Sequence, residues 1–441
     1  MSVAVIFQKE MKSVDRTIPP HIHPVHVPEV PAPETMVLDN GVILHILDGG
    51  DQEISTLRLI FSGGTLEADP FFAVPVTIGD VLTKGCLKYD EQQIAEIIDF
   101  NGATLGGSSM EHYSGLRLSM LNHTASPVLD MMTEMLNAPT FPGRHVDVSL
   151  NMIATNIDIA LKRPTTISRR TLAGMVYGTG HPITRSLSVS PDDVRSIDRT
   201  MITEFYDRMY SSRGLHAYLS GRVGPEMRAR VIEFLNSLSG APAPMERVYV
   251  PGQFQAPGEE VVSMPESLQT SVAIALPAPL RDHPDYHPLR LTVMALGGYF
   301  GSRLSANIRE EKGLTYGITA SLLGQPEGSY IAIAAECDNR YTRRVIDEVV
   351  HELVRMSAEP PCGEELERVR LHAVTSMLEQ RDTVAGVMDM HVAAHTVGMP
   401  ADYYAQMARA VADMTPETLA EMSRRYLRPD LMRTALAGNL L

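Results

Sequence analysis

Residues 307–317 read Asn307-Ile-Arg-Glu-Glu-Lys-Gly-Leu-Thr-Tyr-Gly317, and they follow Gly297-Gly-Tyr-Phe-Gly-Ser-Arg-Leu304. Leu304 and Ile308 stand at helical spacing, Lys312-Gly313 is a helix stop, and a strand is predicted over 315–321. Arg309 therefore sits on the helix and Tyr316 at the start of the strand. One junction brings together a guanidinium fork and a phenol, both able to donate hydrogen bonds to a carbonyl oxygen or a developing oxyanion. From residue types alone the stronger reading is plainer: Arg309 pairs with acidic neighbours on a solvated face and Tyr316 fills a strand.

Working outward, the helix-stop-hairpin pattern occurs twice, with a period of about 215 residues. In the first copy Ile94, Ile97 and Ile98 mark a helix over 91–100 that Asn101-Gly102 ends, and strands are predicted over 103–109 and 113–120. In the second, the strand over 315–321 is followed by another over 329–335, where Tyr330-Ile-Ala-Ile-Ala-Ala335 is β-like in the manner of Leu57-Arg-Leu-Ile-Phe61. Each copy closes alike. A helix over 200–210 leads to a strand over 216–221, and a helix capped by Thr415, with Pro416 in its first turn, runs to Tyr426 before a strand over 434–438. Short-turned strands followed by gathered helices predict an α+β fold of two similar halves, each an antiparallel-rich sheet covered on one face by helices. Pro and Gly crowd residues 237–258, which read as a linker between a domain at 36–236 and a second at 259–441. Residues 1–35, with Pro19, Pro20, Pro24, Pro28, Pro31 and Pro33, read as an extended arm lying on the body or on a partner.

The chain has 441 residues, 44% apolar and 21% charged, which suits two ordinary globular domains. A formal net charge of −15 opposes nucleic-acid and anionic-membrane partners by repelling phosphates. No apolar run reaches the length of a membrane span, and the first ten residues lack the charge and apolar length of a secretory signal, so a cytoplasmic location is expected. Cys86, Cys337 and Cys362 are odd in number and far apart, as reduced thiols would be.

The Gly297–Leu304 and Asn307–Gly317 segments resemble the carboxy-terminal half of the pitrilysin/insulinase zinc peptidases, the inverzincins. The resemblance extends from about residue 36 to the end, through Val37-Leu-Asp-Asn-Gly-Val-Ile43 as the opening strand and Tyr177-Gly-Thr-Gly-His-Pro182 leading to Ser190-Pro-Asp-Asp-Val194. It implies the mitochondrial-processing-peptidase/LuxS-like metallohydrolase fold, and gives Arg309 and Tyr316 the role of holding a substrate's backbone carbonyl. The family's zinc motif is H-x-x-E-H, and its best match here is Ala73-Val-Pro-Val-Thr-Ile-Gly-Asp-Val-Leu-Thr-Lys-Gly-Cys86. Val76 and Asp80 stand where the two histidines would, Gly79 replaces the general-base glutamate, and Asn156 falls at the third ligand. Such a set supplies neither three zinc ligands nor a base. The edge strand that lines substrate in active relatives reads Thr104-Leu-Gly-Gly-Ser108 here, and glycines there pin register poorly. The resemblance thus implies a non-catalytic, substrate-binding subunit: no catalytic residue and no metal in this chain, zinc supplied by a homologous partner subunit, and peptides as substrate. A homodimer is open to the isolated chain. The alternative is a non-enzymatic scaffold of the same fold, which has no reason to keep Arg309 and Tyr316.

Other candidates carry less. His391 and His395, at i, i+4, place two imidazoles on one helix face where a metal could bridge them. They lack the Glu of H-E-x-x-H and a third ligand, so a partly buried packing or interface role is the stronger reading, ahead of a metallopeptidase with unorthodox ligands. His21, His23 and His26 in the arm could bind a metal loosely, but a solvated arm is the simpler account. Met131, Met132 and Met135 read as adaptable core filling. Nothing resembles a Walker loop or a dinucleotide fingerprint.

Overall fold

The computed structural model describes residue 17 and residues 29–240, 249–400 and 402–440. The first half builds a six-stranded sheet from β1 (Glu34–Val37), β2 (Ile43–Asp48), β3 (Ile54–Phe61), β4 (Thr104–Ser109), β5 (Ser114–Leu121) and β6 (His216–Gly221), in the order β1-β2-β6-β3-β5-β4. The second half builds a five-stranded sheet from β7 (Gly258–Ser263), β8 (Gln269–Ala278), β9 (Thr315–Gln325), β10 (Gly328–Asp338) and β11 (Arg433–Gly438), in the order β7-β11-β8-β10-β9. The internal repeat is thus topological. In each sheet a late strand lies parallel to one neighbour (β6 to β2, β11 to β7), and the hairpin after the first long helical segment forms the far edge.

Local signals set the elements. Asp90 and Gln93 form a reciprocal capping box on the helix Glu91–Phe100, Gly102 leaves it at φ +63°, and Thr415 caps the helix Pro416–Tyr426. The expected opening strand over 37–43 is instead a turn: Asn40-Gly41, with Gly41 at φ +89°, folds β1 back on β2 and pairs Val37 with Ile43. As β1 begins at Glu34, the arm's last two residues belong to the sheet. Residues 1–16 and 18–28 of the arm, with His21, His23 and His26, lie outside the described residues, as do 241–248 of the linker.

Each sheet turns one face to its own helices, and Met131, Met132 and Met135 are fully buried in the first of these cores. On its other face each sheet carries one helix from the opposite half. The helix Pro164–Tyr177 leaves the first half to lie on the second sheet, where Ala273, Ala275 and Ala435 let it approach closely. The helix Val384–Thr396 makes the reciprocal crossing, packing Val387, Met388 and Val392 onto Leu47, Ile60 and Tyr218 of the first sheet. A buried polar contact also joins the halves. His112, in the β4–β5 turn, puts Nε2 2.6 Å from Glu327 Oε1 in the β9–β10 turn and Nδ1 3.4 Å from Glu67 Oε1. Burial alone would lower the imidazole's pKa, but its hydrogen bonds to Glu327 and Glu67 outweigh that and hold it up at about 9.

Candidate functional site

The degenerate motif lies on the helix Val74–Val81, which buries Val74, Pro75, Thr77, Ile78 and Val81 in the core. What remains outward is the face bearing Val76, Gly79 and Asp80. Val76 is exposed and has no lone pair, and Asp80 accepts a hydrogen bond at 2.7 Å from Ser149 Oγ on the helix Gly143–Ala160. Asn156 is exposed on that second helix, seven residues beyond Ser149, or roughly 10 Å along the axis at 1.5 Å per residue. One carboxylate and one amide do not make a zinc site, which needs three donors from His, Cys or carboxylate. Among the described residues no group of three or more His, Cys, Asp or Glu is placed to hold a metal ion.

Gly79 has a second role that the motif comparison missed. It faces the edge strand β4 at Gly107, where an added Cβ would sit 3.0 Å from the Gly79 carbonyl oxygen and 3.1 Å from its Cα. Ser109 Oγ further donates to the Pro75 carbonyl at 2.9 Å. The glycine-rich edge is therefore a close helix-to-strand contact, and its pairing with β5 runs in unbroken register from Thr104 to Ser109.

The other constellation lies in the second half, at the turn that leads into β9. Residues 305–311 form a π-helical segment, Gly313 exits it at φ +59°, and β9 starts at Thr315. The wide turn is fixed from below. Asn307 Nδ2 donates to Glu352 Oε1 at 2.8 Å and to Glu348 Oε2 at 3.2 Å, and Lys312 pairs with Glu348. Above it, the Arg309 guanidinium lies 5.5 Å from the Tyr316 ring and 4.6 Å from the Phe300 ring. Arg309 Nε also lies 3.4 Å from Glu310 Oε1, so the acidic-neighbour reading holds in part. Tyr316 is no strand filler, because 90% of it is exposed. Phe300 escaped the sequence reading, although its place in Gly-Gly-Tyr-Phe-Gly, a loop just before the helix, was the available signal. Two rings flanking a guanidinium restrict its rotamers while leaving its N–H edge free to meet a carbonyl.

His391 and His395 are not joined with each other. His391 Nε2 donates to the Pro31 carbonyl at 2.8 Å, and His395 Nδ1 is 2.5 Å from the Tyr218 hydroxyl. Both serve the packing of their helix against the first half, the interface role expected of them.

Comparison with known proteins agrees with this architecture. Residues 196–371 match the model of the peptidase M16 inactive domain. An uncharacterized zinc protease of Streptomyces coelicolor is 22% identical over 371 residues, covering 80% of this chain and 78% of its own length. The crystal structure of a peptidase M16 inactive domain from Pseudomonas fluorescens superposes with a TM-score of 0.84 at 21% identity, over 93% of this chain and 98% of that one. The periplasmic protease PqqL of Escherichia coli matches 96% of this chain with a TM-score of 0.76 at 14% identity, but only 49% of its own chain is covered.

Proposed function

We propose that this chain, whose residues 196–371 match the peptidase M16 inactive domain, is a non-catalytic, substrate-binding subunit of a two-chain zinc peptidase. The observation that carries the reading is an asymmetry. The positions of the metal motif hold Val76, Gly79, Asp80 and Asn156, while Arg309 and Tyr316 remain juxtaposed, exposed and braced by Phe300, Asn307 and Glu352. A π-helical turn that presents a large exposed tyrosine beside a stacked arginine is of the kind that recurs at functional sites. In the assembled peptidase the partner supplies zinc and the base that activates water. From this chain, the Tyr316 hydroxyl and the Arg309 guanidinium donate hydrogen bonds to the scissile carbonyl, stabilising negative charge as it develops on oxygen.

The test is to purify the chain alone and with a homologous subunit bearing H-x-x-E-H. Alone, it should hold no stoichiometric zinc and cleave no fluorogenic peptide. With the partner, hydrolysis should rise well above the partner's own rate, and Tyr316→Phe should lower turnover by roughly a hundredfold without loss of assembly. Arg309→Lys should also be damaging, since an ammonium lacks the planar fork. Tightly held zinc with chelator-sensitive cleavage by the isolated chain would refute the reading. So would wild-type turnover by both variants in intact assemblies, an outcome that favours a scaffold.

A further inference from the structure

The helix Val384–Thr396 crosses from the second half to cover the first sheet, and beneath it lies an unusual strip of side chains. His45 on β2 and His216 on β6 share a hydrogen bond, Nε2 to Nδ1, at 3.1 Å. The His45 ring stacks on Tyr218 with centroids 4.5 Å apart, and the His216 ring lies 3.8 Å from that of His395 on the helix. The Tyr218 hydroxyl closes the cluster at 2.5 Å from His395 Nδ1, and Thr35 Oγ1 on β1 lies 2.9 Å from His45 Nδ1. Other charged or titratable groups at this interface, among the described residues, are His391, bonded to the Pro31 carbonyl, Tyr113, packed at the edge of the cluster, and Asp389, which pairs with Arg58 of β3 and Arg117 of β5. Among the described residues no carboxylate is hydrogen-bonded to or paired with the imidazoles of His45 or His216.

We propose that this cluster of His45, His216 and His395 is an acid-sensitive latch between the halves: it docks the helix Val384–Thr396 onto the first sheet while the imidazoles of His45 and His216 are neutral, and releases it when those two are protonated. The inference rests on the cluster's geometry and does not depend on the peptidase reading. Two imidazoles that share one hydrogen bond need one ring nitrogen as acceptor, and protonation of both rings leaves two donors facing each other. Burial is the main reason the docked rings resist protonation, with the charge of His395 adding to it, so that His45 is held down at about 4 and His216 at about 3. Both rings are half-buried in the docked state, and once the helix lifts they become fully solvated and titrate near the ordinary 6.5. The sign follows: docking is fully favoured above pH 6.5 and weakens as pH falls towards the docked values. With two such groups, the ratio of released to docked helix grows roughly 500-fold between pH 7 and pH 5. The His112–Glu327 contact gains from the same protons and keeps its imidazolium. Acid therefore loosens one join between the halves and leaves another closed.

Hydrogen exchange of the full-length chain tests this, with amide rates corrected for the intrinsic effect of pH. Peptides from 384–396 should show an opening constant that rises by two to three orders of magnitude from pH 7 to pH 5, while the core helix Ala125–Asn137 keeps its protection. In the variant His45→Asn/His216→Asn the selective rise should fall below tenfold. A wild-type rise under tenfold, or an undiminished rise in the folded variant, overturns the proposal. Should the variant not fold, NMR titration of histidine ring protons in the wild type decides: two imidazoles staying neutral below pH 5 uphold the latch, and all of them titrating above pH 6 overturns it.

Discussion

Raising the pH should separate the halves at the opposite join, and the structure sets the size of the effect. His112 is buried between Glu327 of the second half and Glu67 of the first, and its pKa rises from 6.5 to about 9. A rise of that size is worth about 3 kcal/mol of differential stability between the protonation states. Because the native pKa is raised, this contribution is fully present below pH 6.5, the value in the unfolded chain, and is lost as pH climbs through about 9. Urea denaturation midpoints measured from pH 6 to 9.5 should fall by the equivalent of about 3 kcal/mol, most steeply above pH 7. The variant Glu327→Gln keeps shape and one hydrogen bond but removes the buried charge. At pH 6.5 it should cost about 2 kcal/mol, the value of a charge-assisted bond, and at pH 9.5 almost nothing. Converging curves at high pH are the signature. Parallel curves for wild type and variant across this range would show that His112 is not held protonated by Glu327, and the argument would fail.

Three further outcomes follow from contacts already described. Phe300→Ala removes one of the two rings about Arg309 but little buried surface, so partnered peptide hydrolysis should drop roughly three- to fivefold, the worth of an exposed cation–π contact, with an unchanged melting temperature; a lost melting transition would make Phe300 structural. Gly107→Val drives a Cβ against the Gly79 backbone and should destabilise by about 1–3 kcal/mol, whereas Gly106→Val, with nothing within 4 Å of its Cβ position, should be tolerated in thermal melts. Val76→His/Asp80→His should yield neither peptide cleavage nor tight zinc by elemental analysis, because Gly79 and Asn156 still offer no base and no third ligand; cleavage in a fluorogenic assay would mean that another side chain serves as base.

What was legible in the sequence was what a dozen residues can encode. Arg309 and Tyr316 are seven apart with a helix stop between them, so their meeting needs only local geometry, and the hairpins and capped helices are similarly local. The strand expected over 37–43 failed on a local signal too, since Asn40-Gly41 outweighs the flanking apolar residues. The π-helical turn under Arg309 was not legible, because it is held by Asn307 reaching Glu352 on a helix 45 residues later. The second layer over the second sheet was written in β8, had both its faces been read. Val272, Ile274 and Leu276 alternate with Ala273 and Ala275, so the strand is apolar on both sides and implies cover on both. Small residues on one side specify a closely approaching helix, and the helix Pro164–Tyr177 fills that place. No comparable pattern announces the His45–His216 pair, which is 171 residues apart and joined only by the parallel register of β2 with β6. Residues of that kind are placed by topology alone: once the repeat fixes β6 beside β2, His216 and His45 must share a face, and the crossing helix then half-covers them together.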